Sequence, residues 1–364
     1  MRGASDFAVS DVTVMERALS LARRGEGRVE PNPMVGAVIT AAGKIVAEGW
    51  HDRFGGPHAE AVAIAAAGEA ARGGTLFVTL EPCCHHGKTP PCSEAIIAAG
   101  IRRVVVAASD PFPKVAGGGI AALEAAGISV KVGLLAAEAE RLTAPYRRLI
   151  ASGRPWVIAK WAASLDNRLA AAPGGDRWIS SPESRELVHQ LRGRMDAIMI
   201  GIGTALADDP LLTARPEGRR RALRIVLDSR CRLPLESRLV GSARDWPLLV
   251  AAGPQAEAAR IAALEAAGCE VWRGTEQDPG RRLEELLAEL GRRRLTNLLD
   301  EGGAEVFGTL FRRGLVDEVH AFTAARLLGE PGDNLPRLPP HPPLEVEEAS
   351  RPGGDVFIRG LVRR

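Results

Sequence analysis

Two stretches decide the fold expected of this chain: His58-Ala59-Glu60, and Pro82-Cys83-Cys84-His85-His86-Gly87-Lys88-Thr89-Pro90-Pro91-Cys92. Together they offer one imidazole and two thiolates, a donor set that suits a zinc ion. Glu60 stands beside these donors as a carboxylate that the metal does not need. A zinc ion with three protein ligands keeps a fourth position open, where it lowers the pKa of a water molecule. The two stretches therefore predict a catalytic zinc centre with a proton carrier beside it.

The order of these residues matches a signature. Zinc deaminases carry H-x-E followed by P-C-x-x-C, and their glutamate moves a proton without binding the metal. Here the second cysteine lies nine positions after Cys83, so the loop between the thiolates is enlarged. Either Cys83 or Cys84 could face the metal. We choose Cys83 because Pro82 stands in the motif position before it.

A structural zinc site is the main alternative. Such sites have four protein ligands, usually in two pairs of the type C-x₂₋₄-C or H-x₃₋₅-H, and the sequence offers no second pair. His85 and His86 are further candidate ligands, but adjacent residues on an extended segment point to opposite sides. We expect these histidines to contact the substrate or solvent, and the open fourth position favours catalysis.

Length and composition predict two soluble globular domains. A chain of 364 residues exceeds the usual size of one hydrophobic core. Its 47 Lys and Arg nearly balance its 45 Asp and Glu, and the net charge of +2 gives no basic field for nucleic acid. A small-molecule substrate is therefore expected. Five cysteines form no plausible disulfide framework at this size, and a metal in a reducing compartment explains three of them better.

The sequence carries no sign of export or of membrane insertion. Its first residues include an acid, Asp6, and no apolar signal-peptide core. No apolar run approaches the eighteen or so residues of a membrane span. We expect a cytoplasmic protein with no membrane partner, present as a homo-oligomer.

Alternating strands and helices predict an α/β fold in both halves. We place a domain boundary in Ala151-Ser152-Gly153-Arg154-Pro155, where Gly and Pro stop a helix, which gives domains 1–152 and 153–364. The first half is predicted to run helix 12–24, strands 34–40 and 44–50, helix 58–71, strand 75–79, a helix from 91, strands 103–108 and 129–132, and a closing helix 138–150. The second half is predicted as α/β with an antiparallel tail.

One feature of the second half bears on nucleotide binding. Asp300-Glu301-Gly302-Gly303 ends an apolar strand and precedes a helix, an arrangement in which backbone N–H groups can hold a phosphate. A tight connection is the commoner reason for such a glycine pair. Since no G-x-G-x-x-G follows a strand, a Rossmann domain is not supported.

The enlarged loop, with Pro31-Asn32-Pro33-Met34-Val35-Gly36 before it, resembles the deaminase half of the bifunctional riboflavin-biosynthesis deaminase/reductases. This resemblance implies a cytidine-deaminase-like three-layer α/β/α domain with catalytic Glu60. The metal ligands that it implies are His58, Cys83 and Cys92. The substrate-binding residues that it implies are Asn32, His51, His85 and Lys88. Cys84 stands where family members commonly carry Ser.

Four further segments resemble the reductase half of the same family, a dihydrofolate-reductase-like α/β domain that uses NADPH. They are Lys160–Asp166, Trp178–Ser180, Gly201–Pro210 and Glu301–Gly303. The implied cofactor-binding residues are Ala162, Trp178, Thr204, Asp208, Ser229, Gly303, Ala304, Glu305, Val306, Phe307, Gly308 and Thr309. The implied substrate-binding residues are Asp176, Arg192, Leu212, Arg215 and Glu301, and the implied catalytic residues are Lys160 and Asp208. Asn167 stands where the family usually has Gly, and Asp176 where Ser is common.

The resemblance implies two successive reactions on one pyrimidine nucleotide. A zinc hydrolase of the cyclic amidine deaminase type would deaminate 2,5-diamino-6-ribosylamino-4(3H)-pyrimidinone 5′-phosphate. An NADPH oxidoreductase would then convert the ribosyl side chain to ribityl, giving 5-amino-6-ribitylaminouracil 5′-phosphate. The alternatives are a zinc deaminase of another nucleobase or nucleoside with a degenerate second domain, and a zinc-stabilised binding module.

Overall fold

A computed structural model describes residues 10–85, 90–169, 179–329 and 344–363. The chain divides into two compact units, Met1–Ser152 and Gly153–Arg364. No helix within the described ranges is both long enough and apolar enough to cross a bilayer. Each unit is built on one sheet.

The first unit contains a five-stranded sheet in the order β2-β1-β3-β4-β5. Strand β1 is antiparallel to β2 and β3, and β3, β4 and β5 are parallel. The elements in chain order are α1 (Asp11–Ala22), β1 (Gly36–Ala41), β2 (Lys44–Trp50), α2 (Ala59–Ala67), β3 (Thr75–Leu80), α3 (Cys92–Ala98), β4 (Arg103–Ala108), α4 (Gly118–Ala125), β5 (Ser129–Val132), α5 (Ala136–Leu142) and α6 (Ala144–Ser152).

Alternation along the strands produces three layers. Leu76 and Val78 of β3 pack with α2, α3 and α4, whereas Phe77 faces the opposite side and packs with α1 and α5. Successive strand residues point to opposite faces, so a fully apolar strand can be buried on both. Gly36 allows α1 to lie close to β1, because a Cβ there would be 2.0 Å from the carbonyl oxygen of Ala18. The predicted three-layer α/β/α fold is confirmed.

Several sequence-based boundaries in this unit differ from the structure by a few residues, and two of the differences affect the fold or the site. The expected closing helix 138–150 is two helices, and Thr143 separates them. Pro145 explains the break, since it lacks an N–H and its ring would clash with the carbonyl four residues earlier. The second error concerns His58, which was placed in the first turn of a helix. It is instead the extended residue before α2, with φ −73° and ψ 158°.

The second unit contains a nine-stranded sheet in the order β10-β9-β8-β7-β11-β6-β12-β14-β13. The first seven of these strands are parallel, and β14 and β13 form the expected antiparallel tail. The elements are β6 (Trp156–Ser164), α7 (Pro182–Arg192), β7 (Ala197–Gly201), α8 (Ile202–Asp208), β8 (Leu223–Leu227), α9 (Arg238–Gly241), β9 (Leu248–Ala252), α10 (Ala258–Ala266), β10 (Glu270–Arg273), α11 (Pro279–Arg292), β11 (Asn297–Asp300), α12 (Ala304–Arg312), β12 (Glu318–Ala324), β13 (Leu344–Ser350) and β14 (Val356–Val362).

Helix α11 shows how the sequence buries this sheet. Leu283, Leu286, Leu287 and Leu290 are spaced i, i+3, i+4, i+7 and all lie in the core. Burying each leucine contributes about 1.5–3 kcal/mol. Because β7, β8 and β11 are parallel, the segments that follow them meet at one edge, where α/β proteins bind ligands. The helix α8, which the sequence reasoning missed, begins at that edge.

Candidate active sites

The three predicted metal ligands lie together in the first unit. Their donor atoms are all within 4.8 Å of one another. His58 Nδ1 is 3.2 Å from Cys92 Sγ and 3.6 Å from Cys83 Sγ. Tetrahedral zinc at ordinary bond lengths would separate an imidazole nitrogen from a thiolate sulfur by roughly 3.6 Å. The donor set and its spacing therefore fit zinc. His58 reaches the cluster from the residue before α2, Cys83 from the segment after β3, and Cys92 from the first position of α3.

The environment of Cys83 favours a thiolate. Its sulfur accepts the backbone N–H of Cys92 at 3.3 Å. Hydrogen bonds from the Cys92 thiol and then from His58 lower the pKa of Cys83 to about 4. Cys84 lies apart from this cluster, because its thiol donates to the carbonyl of Lys114 at 3.6 Å. The geometry thus agrees with the choice of Cys83 over Cys84.

Glu60 lies in the first turn of α2 beside the donors and is only 3% exposed. Burial raises the pKa of its carboxyl group, and a hydrogen bond from its own backbone N–H and then the charge of His58 partly offset this effect. A carboxyl group whose pKa is raised towards neutrality can accept and release a proton during a reaction. Its position two residues from His58 suits a proton carrier that is not itself a ligand.

Asn32 and His51 form a polar pair next to the donor cluster. His51 Nδ1 is 2.9 Å from the carbonyl of Pro57, so it carries the proton and donates it. Nε2 of His51 is then the acceptor for the Asn32 amide at 3.2 Å. Burial lowers the pKa of His51, which keeps the ring neutral. The ring lies 5.6 Å from that of His58. This chain of bonds fixes which way the Asn32 amide points.

The remaining predicted residues of this site are less completely placed. His85 is half-buried, with its ring 6.0 Å from that of Phe112. Its Nδ1 is buried and has no hydrogen-bond partner among the described residues. Lys88 lies outside the described residues. The Nδ1 atom of His85, two residues after Cys83, is therefore a polar group with no partner in the described part of the chain.

The sequence reasoning missed Glu81, the residue before the Pro-Cys motif. It is 3% exposed, and its carboxylate accepts four backbone N–H groups. The donors are Asp110, Gly117, Gly119 and Ile120. This carboxylate ties the end of β3 to the loop before α4 and to the first turn of α4, and so fixes the origin of the segment that carries Cys83. The motif itself contained the signal, since a glutamate next to a buried strand needs a partner.

A buried ionic triad lies in the second unit. Arg192 donates from Nε and Nη2 to the two oxygens of Glu301, at 2.6 and 2.8 Å. Lys160 Nζ is 3.7 Å from the same carboxylate. Burial opposes ionisation of Glu301, but the charges of Arg192 and Lys160 outweigh it and lower the pKa to about 2. Burial lowers the pKa of Lys160. The lysine is therefore held in place yet able to give up a proton.

His189 joins this cluster, and the sequence reasoning did not identify it. Its Nδ1 donates to the carbonyl of Thr213 at 3.2 Å. Burial, and then the charges of Arg192 and Arg215, lower the pKa of His189. Arg215 is exposed, whereas the guanidinium of Arg192 faces Glu301. The charges of Arg192, Lys160 and His189 thus all act on the buried carboxylate of Glu301.

A cavity of about 610 Å³ lies at the edge of the sheet where β7 and β8 end, and the first residues of α12 also line it. The predicted cofactor residues that line it are Thr204, Ser229, Gly303, Ala304, Glu305, Val306 and Thr309. The backbone N–H of Gly303 donates to Thr204 Oγ1 at 3.3 Å. The cavity also contains side chains that were not predicted, Trp272, Arg230, Arg232 and Arg282. Its volume and mixed lining are those of a ligand pocket.

Other predicted residues lie away from this cavity. Phe307 is in the core, its ring 5.7 Å from that of Trp161, and Gly308 is buried beside it. Ala162 is half-buried on β6, and Asp208 is exposed at the end of α8. Leu212 is buried with φ +54°. Asp176 and Trp178 lie outside the described residues.

Family models match both halves. Residues 9–108 match the cytidine and deoxycytidylate deaminase zinc-binding region, and residues 155–352 match the RibD C-terminal domain. The riboflavin biosynthesis protein RibD of Aquifex aeolicus is 40% identical over 321 residues, covering 88% of each chain. RibD of Escherichia coli is 38% identical over 381 aligned residues, covering 96% of this chain and 99% of its own.

Solved structures agree over the whole length. RibD of Acinetobacter baumannii has a TM-score of 0.86 at 32% identity and covers 97% of this chain and 99% of its own. A diaminohydroxyphosphoribosylaminopyrimidine deaminase/5-amino-6-(5-phosphoribosylamino)uracil reductase of Thermotoga maritima has a TM-score of 0.85 at 34% identity, with 97% and 98% covered. The resemblance inferred from the motifs is thus confirmed. The chain belongs to the RibD family of riboflavin biosynthesis, bifunctional enzymes that join a zinc-dependent deaminase domain to an NADPH-dependent reductase domain.

Proposed function

We propose that the first unit removes the 2-amino group of 2,5-diamino-6-ribosylamino-4(3H)-pyrimidinone 5′-phosphate. The second unit then reduces the ribosyl group of the deaminated product to ribityl, giving 5-amino-6-ribitylaminouracil 5′-phosphate. The observation that carries this proposal is the buried Glu60 beside the cluster of His58, Cys83 and Cys92. The name of the Thermotoga maritima relative contains both substrates.

In the deaminase unit, His58, Cys83 and Cys92 would hold zinc. Zinc, when bound, supplies Lewis-acid activation of a water molecule. Glu60 accepts a proton from that water molecule as the water oxygen attacks the ring carbon. Glu60 then delivers the proton to the departing amino group, which leaves as ammonia. Asn32, oriented by His51, would hydrogen-bond the pyrimidine edge, and His85 and Lys88 would contact the ribose phosphate.

In the reductase unit, NADPH supplies a hydride when bound, and the predicted residues from Gly303 to Thr309, with Ala162, Trp178, Thr204, Asp208 and Ser229, would hold it. The C1′–O4′ bond of the ribose breaks, and Lys160 gives a proton to O4′ as the exocyclic nitrogen forms a double bond to C1′. NADPH would supply the hydride that C1′ takes up, and solvent restores the proton of Lys160. Glu301 and Arg192 keep Lys160 in position. Asp176, Leu212 and Arg215 would contact the substrate.

The deaminase assignment is tested by Glu60→Gln in the full-length protein. We expect the zinc content, measured by mass spectrometry, to be unchanged and ammonia release to fall at least 100-fold, since general acid–base catalysis contributes about 10²–10⁴-fold. Glu69→Gln is the matched control, because Glu69 is exposed after the same helix. Undiminished release by Glu60→Gln would remove the proton-carrier role.

The reductase assignment is tested by Lys160→Met with the deaminated intermediate supplied directly. We expect NADPH oxidation, followed by its absorbance, to fall about 100-fold or more while NADPH binding persists. The same sample should still release ammonia from the diaminopyrimidine. If Lys160→Met oxidises NADPH at the wild-type rate, another group delivers the proton.

We also propose that the protein acts in the cytoplasm as a homo-oligomer on this small-molecule substrate. The free cysteines support a reducing compartment, and the nearly balanced charge supports a small-molecule substrate. Light scattering coupled to size-exclusion chromatography measures the oligomeric state. A measured mass equal to that of one chain would contradict the proposed homo-oligomer.

A further inference from the structure

One side chain beside the ionic triad of the second unit has no role in the reactions above. His189 lies on α7, three residues before Arg192, so the two side chains lie on the same face of the helix. Its Nδ1 is 3.2 Å from the carbonyl oxygen of Thr213, and Arg192 Nη1 is 3.5 Å from the same oxygen. Because a carbonyl oxygen only accepts, Nδ1 carries a hydrogen and donates it. The other ring nitrogen, Nε2, is then available for a different partner.

The surroundings of His189 favour an uncharged ring. Burial lowers its pKa, and the charges of Arg192 and Arg215 lower it further, whereas Thr213 and Glu301 partly offset the effect. An uncharged imidazole with its hydrogen on Nδ1 has a lone pair on Nε2, which makes Nε2 an acceptor. Within the described part of the chain, Nε2 has no hydrogen-bond partner. The ring therefore offers an acceptor that the protein itself does not use.

The charged groups of the same cluster are of the opposite kind. Lys160, Arg192 and Arg215 have only donors. Both oxygens of Glu301 already accept from Arg192, and Lys160 Nζ lies 3.7 Å from the same carboxylate. Among these five described side chains, His189 is the one acceptor without charge. Cations suit the phosphate of a sugar phosphate, whereas the hydrogen of a sugar hydroxyl group needs an acceptor such as this one.

We propose that Nε2 of His189 accepts a hydrogen bond from the 2′- or 3′-hydroxyl group of the ribosyl chain, and that this contact makes the reductase unit select ribosyl over deoxyribosyl substrates. A substrate that lacks the hydroxyl group leaves Nε2 unpaired and binds more weakly. The inference rests on the proposed reductase reaction, in which Lys160 and Glu301 lie beside the ribose.

Two variants of the full-length protein separate substrate contact from support of the Thr213 loop. The side-chain amide of asparagine reaches about as far as Nδ1, so His189→Asn can keep the bond to the Thr213 carbonyl but has no group in the place of Nε2. The amide of glutamine reaches about as far as Nε2, so His189→Gln can keep an acceptor there but loses the bond to Thr213. Gln190→Ala, at an exposed position of the same helix, is the control.

NADPH oxidation is measured with the deaminated intermediate and with its 2′-deoxy and 3′-deoxy analogues. We expect His189→Asn to raise KM for the intermediate about 10-fold, the size of one uncharged hydrogen bond, with kcat changed less than about threefold. For the wild type, one analogue should have a kcat/KM about 10-fold below that of the intermediate, and His189→Asn should lose this difference. His189→Gln should keep KM within about threefold of the wild type, and Gln190→Ala should match the wild type.

The dissociation constant for NADPH, measured by calorimetry, shows that the second unit of each variant is folded and should not change. If His189→Asn keeps the wild-type KM, or still discriminates against the same analogue as strongly as the wild type, the inference is overturned. Impaired turnover by His189→Gln with normal turnover by His189→Asn would show that His189 only supports the Thr213 loop, which also overturns it. A wild-type protein that does not oxidise NADPH with the intermediate would refute the proposed reductase reaction itself, and the inference with it.

Discussion

Replacing Glu81 by Gln should loosen the loop that positions the metal ligands. The Glu81 carboxylate accepts N–H groups of Asp110 and Gly117 on one oxygen, at 3.3 and 3.1 Å, and of Gly119 and Ile120 on the other, at 3.1 and 3.3 Å. The glutamine amide has one acceptor oxygen, which can keep two of the four hydrogen bonds. The other two backbone N–H groups would face the NH₂ group, which is itself a donor, so their hydrogen bonds are lost. Hydrogen bonds to charged groups contribute about 1.5–3 kcal/mol each, which gives about 3–6 kcal/mol. The substitution also removes a buried charge and so recovers part of the free energy that its desolvation costs. We therefore expect a loss of stability near the lower end of this range.

Urea unfolding of the full-length protein measures this effect. We expect the transition of the first unit to lose about 3 kcal/mol, a large share of the 5–15 kcal/mol typical of a domain. Because Glu81 precedes Pro82 and Cys83, zinc should also leave faster to a chelator. Glu124→Gln, at an exposed position on α4, is the control and should change neither quantity. A loss below about 1 kcal/mol with wild-type zinc release would refute a positioning role for the carboxylate.

Two further outcomes follow from packing and charge. Gly36→Ala should lower the free energy of unfolding of the first unit by about 1–3 kcal/mol, because its Cβ would lie 2.0 Å from the Ala18 carbonyl; thermal unfolding measures this, and an unchanged midpoint would contradict the packing. For Glu301, a folded pKa of about 2 against an ordinary 4.5 means that its contribution is complete above pH 4.5 and is lost as the pH falls towards 2. The second unit should therefore lose about 3 kcal/mol over that interval, and Glu301→Gln should not show this part of the acid dependence; identical acid profiles would contradict the ion pairs with Arg192 and Lys160.

The donor cluster could be predicted from sequence because its chemistry is confined to short segments. His58 and Cys92 lie at the starts of α2 and α3, Cys83 lies three residues after the end of β3, and the types of donor restrict the metal. The buried parallel strands were also predictable, since a strand covered on both faces is a continuous apolar run. The strand Arg103–Ala108 was predicted with the bounds that the structure gives.

The missed features depend on distant partners. Glu81 is bonded to a loop about thirty residues later in the chain, and nothing near it in sequence shows those donors. Arg230 and Arg232 look like solvated loop residues in the sequence, and only the fold shows that they line the same cavity as the first residues of α12. His189 likewise acquires its surroundings from Thr213 and Arg215. Sequence patterns report local preference and burial, whereas these contacts are set by the tertiary fold.

The adjacent buried carboxyl groups of Asp300 and Glu301, at the end of β11, look alike in the sequence but have different surroundings in the fold. Asp300 has no cation partner in the described residues. Burial raises its pKa well above the usual value, and its Oδ1 accepts the N–H of Gly302 at 3.1 Å. Glu301 faces Arg192 and Lys160 and stays ionised. Asp300 thereby completes the turn into α12, whose first residues line the cavity. Glu301 pairs with Lys160, whose pKa burial lowers, so one side chain shapes the turn beside the cavity and its neighbour holds the lysine that we propose as the proton donor.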